Sequence, residues 1–142
     1  KEHNLIFHSL IVVKPHIFIS SKNPLAKKKK VTMEELRLYP YLSFEQGEHN
    51  SFYYSEEIFS SVVRYKNIRV RDRATLFNLL IVLNGYTVCS GIIDENLNGK
   101  DIVAVALDEE GEMNIGYITR KDSLTSDLAN AYIEALKQHV NK

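Results

Sequence analysis

The sequence predicts an α/β domain with a mostly parallel sheet flanked by helices. Three observations support this: strand-like and helix-like segments alternate, the strand-like segments are short and rich in Val and Ile, and one helix-like segment is apolar nearly all round. That segment is residues 74–85, ATLFNLLIVLNG. A helix without a polar side must be shielded from water on two opposite sides. We therefore expect a sheet on one side and a neighbouring domain or second subunit on the other.

The composition is that of an ordinary globular protein. The 142 residues are 44% hydrophobic and 25% charged, with a formal net charge of zero, which suits one domain or one domain plus a small piece of another. No run approaches the roughly 20 apolar residues that span a bilayer. The balanced charge argues against nucleic-acid binding by the chain as a whole. The single cysteine, Cys89, lies in an apolar run, so we expect a buried structural thiol rather than a nucleophile.

The first predicted strand covers residues 10–20, LIVVKPHIFIS, where Val, Ile and Phe dominate. Pro15 cannot donate a ladder hydrogen bond, so we expect it at a crossover or an edge. A turn begins at Asn23 and Pro24. The four lysines of residues 27–30 have no aromatic neighbours among them, which is more typical of a solvated surface than of a binding site for an acidic partner.

Capping signals place the helix ends. Thr32, with Glu35 three residues later, has capping-box spacing and predicts the start of a short helix. The apolar helix is expected to stop at Asn84 and Gly85, with Gly85 as the residue just past its end, because glycine readily adopts the positive φ found there. The last helix has Thr125 or Ser126 near its cap. Its apolar positions are Leu128, Ala131, Tyr132, Ala135 and Leu136. The other predicted elements are strands over residues 41–45, 68–70, 86–93, 101–107 and 113–119, and helices over residues 50–63 and 124–140.

Two loops are candidate ligand-binding sites, because ligands of parallel α/β sheets bind at the carboxyl ends of the strands, where helix N-termini also point. One loop follows residues 41–45 and the other follows residues 68–70. Helix N-termini suit a small anion such as a carboxylate, to which Arg73 would add a bidentate contact. The alternative, that the polar residues only cap their own helices, has equal weight. The candidate binding residues are Gln46, Gly47, Asn50, Ser51, Arg73 and Thr75.

Catalytic and metal-binding motifs were not found in the sequence. The nucleophile-elbow, P-loop, zinc-protease and dinucleotide-binding patterns are absent, and the five histidines are scattered without metal-ligand spacing. Neighbouring carboxylates such as Glu34 and Glu35 do not face each other on a helix. We therefore expect no enzymatic activity, no cofactor and no metal.

Three segments resemble the effector-binding domain of LysR-type transcriptional regulators. Residues 13–47, VKPHIFISSKNPLAKKKKVTMEELRLYPYLSFEQG, look like the start of the second half of that domain, where a crossover strand is followed by a His/Asn-Pro-Leu-Ala turn. Residues 71–93, RDRATLFNLLIVLNGYTVCSGII, resemble the family's apolar helix, glycine turn and following strand. Residues 115–137, IGYITRKDSLTSDLANAYIEALK, resemble the closing strand, Arg-Lys element and C-terminal helix.

The resemblance implies a periplasmic-binding-protein-like type II fold, in which two crossover strands join two α/β subdomains and a small effector binds between them. Residues from about 14 to 107 would form the second subdomain. Residues 1–13 and about 120–142 would form the crossover and part of the first subdomain. The family's N-terminal DNA-binding domain, its linker helix and half of subdomain one would be missing, so DNA would be bound only through that missing domain.

The resemblance also implies a function. The chain would bind a small effector, such as a carboxylate or amino-acid-like metabolite, as part of a cytoplasmic transcriptional regulator. Binding of the effector would shift the regulator from one conformational state toward another. Because such regulators dimerise through their effector domains, Leu79, Val82 and Leu83 are the candidate interface of a homodimer or higher homo-oligomer. No membrane contact is expected. The solute-binding module of a transporter is the main alternative, and an enzyme domain on the same fold is another.

Overall fold

The computed structural model describes residues 4–45, 66–122 and 125–140. The strands are β1 (Leu5–Val13), β2 (His16–Ser20), β3 (Lys30–Val31), β4 (Tyr41–Phe44), β5 (Asn67–Val70), β6 (Tyr86–Cys89), β7 (Ile102–Leu107) and β8 (Met113–Arg120). The helices are α1 (Met33–Leu36), α2 (Arg73–Val82), α3 (Glu95–Asn98) and α4 (Asp127–Val140), with a 3-10 helix over Pro24–Lys27. The helix predicted over residues 50–63 lies outside the described residues.

The chain divides into two compact units. The first unit combines Lys1–Val13 with Glu112–Lys142, and the second unit is Lys14–Gly111. The second unit is built on a six-stranded sheet in the order β3-β7-β2-β6-β4-β5. Of the strands described in this sheet, five run in one direction and β2 runs antiparallel to both of its neighbours, β6 and β7. The predicted α/β class with a mostly parallel sheet is therefore confirmed.

The single strand predicted over residues 10–20 was wrong, because the structure has two strands there. β1 ends at Val13 and β2 begins at His16, and the two belong to different sheets. Pro15 lies between them, where its missing N–H breaks no ladder. Its carbonyl accepts a hydrogen bond from the Leu107 backbone N–H at 3.0 Å. The proline thus marks the passage from one unit to the other.

Both faces of the six-stranded sheet are covered by apolar side chains. Since successive residues of a strand point to opposite faces, Ile17 and Ile19 of β2 join one cluster and Phe18 joins the other. The first cluster includes Leu25 of the 3-10 helix and Leu36 of α1. The second cluster is completed by α2. The sheet is therefore the middle layer of this unit.

The capping box predicted at α1 is confirmed. The Thr32 hydroxyl accepts a hydrogen bond from the Glu35 backbone N–H at 3.3 Å, and the Glu35 carboxylate accepts one from the Thr32 backbone N–H at 3.0 Å. The Lys28 ammonium also donates to this carboxylate and holds the pKa of Glu35 below its ordinary value. All four lysines of residues 27–30 are exposed, as expected of a solvated surface.

The apolar helix α2 is covered along one flank. Its N-cap is Asp72, and its side chains Leu76 and Leu80 are buried in the second cluster of the sheet. Val82, in contrast, is 78% exposed, and the following Leu83 is 41% exposed. Helical spacing alone does not show which flank is covered, because both flanks carry large apolar side chains.

The predicted stop of α2 at Asn84 and Gly85 is confirmed, but the choice of Gly85 as the left-handed residue was wrong. Asn84 holds that conformation, with φ 52°, and the Gly85 N–H reaches back to the Leu80 carbonyl at 3.0 Å in a Schellman arrangement. Glycine is required at position 85 for another reason. A Cβ there would lie 2.8 Å from the Pro40 carbonyl oxygen and closer still to the Leu42 side chain. Asparagine tolerates the left-handed region, so it can end the helix.

The first unit pairs β1 with β8 in an antiparallel two-stranded sheet, with a bulge between Ser9 and Ile11. α4 packs on β1. The predicted cap is confirmed, since the Ser126 hydroxyl accepts a hydrogen bond from the Ala129 N–H at 3.2 Å. The predicted apolar stripe is mostly exposed, with Leu128 at 82%. The half-buried side chains of α4 are Ala129, Ile133, Leu136 and Val140. None of the helices that the structure describes is long and apolar enough to cross a membrane.

Candidate functional site

Polar side chains gather at the edge of the second unit's sheet where the five parallel strands end. β4 is followed by Glu45, β5 by Arg71 and β6 by Ser90. β2 runs in the opposite direction and begins at this edge with His16, which is paired with Cys89. This is the edge at which ligands of parallel α/β sheets bind.

Arg73 opens the first turn of α2 just after β5 ends. Its guanidinium carbon lies 4.6 Å from the centroid of the Phe77 ring, and its Nη2 donates a hydrogen bond to Asn98 Oδ1 at 3.4 Å. Among the described residues, no carboxylate forms an ion pair with Arg73. A cation at the positive end of a helix dipole is unfavourable by itself. The arrangement therefore favours an anion, which the guanidinium and the helix dipole would both attract.

Two acidic side chains in this neighbourhood cap helices. The Asp72 carboxylate accepts hydrogen bonds from the Thr75 backbone N–H and hydroxyl, both at 2.8 Å, and the backbone bond is the main cause of its lowered pKa. The Asp94 carboxylate accepts a hydrogen bond from the Asn96 N–H at 2.8 Å at the start of α3. Because Asp72 and Asp94 cap helices, the side chain that accepts a hydrogen bond from Arg73 is the neutral amide of Asn98 and not a carboxylate.

Asn98 was not predicted from the sequence. α3 delivers it to Arg73, and its Nδ2 donates a hydrogen bond to the Asp94 carbonyl at 2.8 Å. The signal for α3 was present, because Asp94 is a favoured N-cap residue and Gly99 can end the turn at a φ of 71°. The approach of Asn98 to Arg73 is a tertiary contact. No pattern in the sequence around either residue predicts it.

An exposed ion pair joins the ends of two neighbouring strands. The Arg71 Nε donates to the Glu45 carboxylate, and this hydrogen bond is the main reason why the pKa of Glu45 is lowered. The Glu45 backbone N–H also donates to the Val70 carbonyl at 2.7 Å. Because exposed ion pairs stabilise little, the backbone contact is the firmer link between β4 and β5.

Cys89 and His16 are structural neighbours at this edge. Burial raises the pKa of the Cys89 thiol to about 12, against the opposing effects of a hydrogen bond from Gly91 and the charge of Arg73. The thiol is therefore protonated at neutral pH, as expected of a structural cysteine. The His16 ring packs against Gly91, where φ is 80° and a Cβ would lie 2.6 Å from His16 Cγ. The turn at Gly91 also explains why β6 is shorter than the strand predicted over residues 86–93.

The predicted binding residues divide into three groups. Gln46, Gly47, Asn50 and Ser51 lie outside the described residues. Arg73 lies near the edge at which the parallel strands end, and no described carboxylate forms an ion pair with it. Thr75 makes the contacts of a helix cap, since its backbone N–H and its hydroxyl both donate to Asp72. A ligand contact by any of them stays a prediction.

The predicted interface residues lie toward the C-terminal end of α2. Leu79 is half-buried against the second cluster, whereas Val82 and Leu83 are exposed. These three residues and the site at Arg73 therefore occupy opposite ends of one helix. Within residues 4–45, 66–122 and 125–140, no group of three His, Cys, Asp or Glu side chains is placed to hold a metal ion.

The fold is similar to solved regulatory domains at low sequence identity. HinK, a LysR family transcriptional regulator from Pseudomonas aeruginosa, is 16% identical with a TM-score of 0.70; the match covers 100% of this chain and 52% of that one. The effector binding domain of QuiR in complex with shikimate is 14% identical with a TM-score of 0.66, covering 97% and 66%. The Synechocystis CcmR regulatory domain in complex with 2-PG is 13% identical with a TM-score of 0.67, covering 100% and 70%.

This chain therefore spans between about half and about two thirds of the length of those solved chains. A search of curated proteins gives no match. The sequence itself matches the family described as LysR substrate binding domain over residues 1–141, which is nearly the whole chain. Because this match covers nearly the whole chain, the chain belongs to the LysR substrate binding domain family.

Proposed function

We propose that this chain is the effector-sensing part of a LysR-type DNA-binding transcriptional regulator, and that Arg73 anchors a small anionic metabolite. The observation that carries the second statement is the position of Arg73: a cation at a helix N-terminus, over an aromatic ring and held by a neutral amide. The family match supports the first statement. The complexes of QuiR with shikimate and of CcmR with 2-PG support small-molecule binding by this fold.

The chemistry proposed for Arg73 is recognition rather than catalysis. A planar guanidinium can donate two parallel hydrogen bonds to a carboxylate or phosphate. Phe77 and Asn98 fix the plane of the guanidinium before the ligand arrives, which lowers the entropy lost on binding. A carboxylate or amino-acid-like metabolite fits this chemistry.

The regulatory step is a shift between two conformational populations of the whole regulator. An effector can move such an equilibrium only by the difference between its affinities for the two states. In the intact protein, a DNA-binding domain would read out the shift, and the regulator would act in the cytoplasm. The family match favours this function over that of a transporter's solute-binding module. The protonated Cys89 thiol offers no nucleophile that would favour an enzyme.

The Arg73 site is tested by titrating the protein with shikimate, acetate and inorganic phosphate in a calorimeter. We expect Arg73→Gln to weaken binding of the tightest of these anions by roughly 10- to 100-fold, because a charged hydrogen bond contributes about 1.5–3 kcal/mol. Arg120→Gln removes an exposed arginine from the first unit and serves as the matched control. Equal affinities of Arg73→Gln and the parent chain would overturn the assignment.

We also propose that the flank of α2 formed by Leu79, Val82 and Leu83, the α2 flank, packs against a second copy of the chain. Val82 is 78% exposed although it is large and apolar, which is unfavourable in water. In sedimentation experiments we expect Val82→Glu to weaken self-association strongly. Leu97→Glu, at a residue of the same unit that is also highly exposed, should leave self-association unchanged. A monomer at all concentrations, or equal effects of the two variants, would contradict the α2 flank as interface.

A further inference from the structure

The sequence contains two Asn-Gly pairs, Asn84–Gly85 and Asn98–Gly99. Asparagine followed by glycine is the pair most prone to deamidation, because glycine has no side chain to hinder attack by its own backbone nitrogen. The two pairs occupy different surroundings in the fold. One ends the packed helix α2, and the other ends the short helix α3 beside Arg73.

We propose that Asn98 is a deamidation site and that its modification switches off the anion site at Arg73; the second part rests on the proposed function. In the reaction, the Gly99 nitrogen attacks the Asn98 side-chain carbonyl carbon and loses its proton to water. A ring forms as the Cγ–Nδ2 bond breaks, and the nitrogen leaves as ammonia. Water then opens this succinimide to aspartate or isoaspartate. The only co-reactant is water, and no oxidant or reductant is consumed.

The surroundings of Asn98 favour this reaction. The Gly99 N–H donates to the Glu95 carbonyl at 2.9 Å, which must open before attack, but α3 has four residues and no buried side chain. Such a short exposed turn opens at little cost in free energy. No atom outside the neighbouring residues lies within 4 Å of a Cβ position on Gly99, so nothing packs against this side of the glycine. The two hydrogen bonds of the Asn98 side chain, from Arg73 and to the Asp94 carbonyl, are both exposed, so no buried partner holds this side chain in place.

The surroundings of Asn84 oppose the same reaction. The Gly85 N–H donates to the Leu80 carbonyl at 3.0 Å, within a ten-residue helix that packs on the core. The Gly85 backbone is buried against Pro40. The Asn84 Oδ1 accepts a hydrogen bond at 2.9 Å from Asn23, which is almost completely buried. Asn84 is therefore an internal control for the chemistry of the Asn-Gly pair.

The product changes the charge balance around Arg73. In the present structure the Asn98 oxygen is a neutral acceptor for Arg73 Nη2 at 3.4 Å. A carboxylate at the same position would form an ion pair with the guanidinium and compete with an anionic ligand for it. Isoaspartate would additionally displace the backbone at the end of α3. In either case the site would lose its affinity for anions.

The first experiment follows both sites in one sample of the folded chain, held at mildly alkaline pH. Peptide mass mapping and enzymatic methylation of isoaspartate report conversion at each asparagine. We expect Asn98 to convert at least about ten-fold faster than Asn84. In denaturant the two rates should become similar, because both asparagines precede glycine. Asn98→Gln should abolish the signal at that position.

Two results would overturn the modification site: equal rates at the two asparagines in the folded chain, or an intact Asn98 in the folded chain under conditions that convert it in denaturant.

A second experiment tests the charge pairing without any ligand. The new carboxyl of Asn98→Asp is titrated by NMR, with the double variant Asn98→Asp and Arg73→Gln as reference. We expect the pKa of this carboxyl to be lower when Arg73 is present, because the guanidinium stabilises the charged form. Equal titrations would overturn the switch. A lowered pKa combined with no anion binding by the parent chain would instead refute only the proposed function of Arg73.

Discussion

The two units bury their apolar side chains to very different extents. Every hydrophobic side chain that is fully buried in the described parts of the chain belongs to the second unit, where layers cover both faces of a six-stranded sheet. In its described residues the first unit has two strands and one helix, and Leu5, Phe7 and Ile118 remain about half exposed or more. These elements fully bury none of their described hydrophobic side chains. The comparison indicates that the second unit holds most of the chain's stability.

The largest expected effect comes from paired leucine truncations. Leu80 is fully buried, so Leu80→Ala should lower the free energy of unfolding by about 2–5 kcal/mol through lost burial and a cavity. Leu128→Ala, at an exposed position of α4, should change it by less than about 0.5 kcal/mol. Urea denaturation followed by circular dichroism measures both. Equal losses would show that the two units do not differ in this way.

An intermediate effect is expected from paired asparagine truncations. Asn23 is buried; its Oδ1 accepts a hydrogen bond from the Leu25 N–H at 2.8 Å and its Nδ2 donates to Asn84. Asn23→Ala leaves a buried donor unpaired and should cost about 1–3 kcal/mol. Asn114→Ala removes an exposed side chain that accepts a hydrogen bond only from Ser9 among the described contacts, and should cost far less. If Asn23→Ala left the free energy of unfolding unchanged, Asn23 would not contribute to the stability of the second unit.

The smallest effects should appear at opposite ends of the pH scale. The pKa values of Glu35 and Asp72, in the second unit, are lowered mainly by hydrogen bonds from Lys28 and Thr75. Their contribution is complete above the unfolded pKa, at about pH 4, and is lost as the pH falls through the lowered folded value. The pKa of Lys137, in α4, is raised mainly by its hydrogen bond to Glu134. That contribution is complete below the unfolded pKa, at about pH 10, and is lost as the pH rises further.

NMR of carbon-bound protons, which do not exchange with water, can separate these effects over the full pH range. Signals of α1 should change first on acidification and signals of α4 first on alkalinisation. Glu35→Gln should remove the first response and Lys137→Gln the second. Because Asp72 and Lys137 are exposed and the Glu35 side chain is 32% exposed, both responses should shrink in high salt. If α1 and α4 responded at the same pH on acidification and at the same pH on alkalinisation, the assignment of these effects to Glu35 and Lys137 would be contradicted.

Local chemistry predicted the elements of this fold better than their arrangement. The capping box at Thr32 and the cap at Ser126 depend on neighbouring residues, and both were found as predicted. The end of α2 was predicted correctly, but its left-handed residue was placed one position too late, because asparagine and glycine both tolerate positive φ and the sequence contains them side by side. The antiparallel direction of β2, by contrast, is fixed by partners far along the chain.

The candidate site was predicted in part. Arg73 was found from its position after a strand and at a helix start, which is local information. Its neighbour Asn98 comes from a four-residue helix 25 positions later, and only the folded sheet brings the two together. The covered face of α4 was missed for a similar reason, because alanines and leucines occur on several sides of the helix.

The central position of β2 has a consequence for synthesis of the protein. His16–Ser20 leaves a ribosome before both of its partners, Tyr86–Cys89 and Ile102–Leu107, which are translated later. Until Leu107 has left the exit tunnel, the apolar side chains of this strand have no sheet to join. While residues 21–101 are being translated, Ile17, Phe18 and Ile19 therefore lack at least one of their two partner strands, and this short strand is exposed to aggregation during that interval.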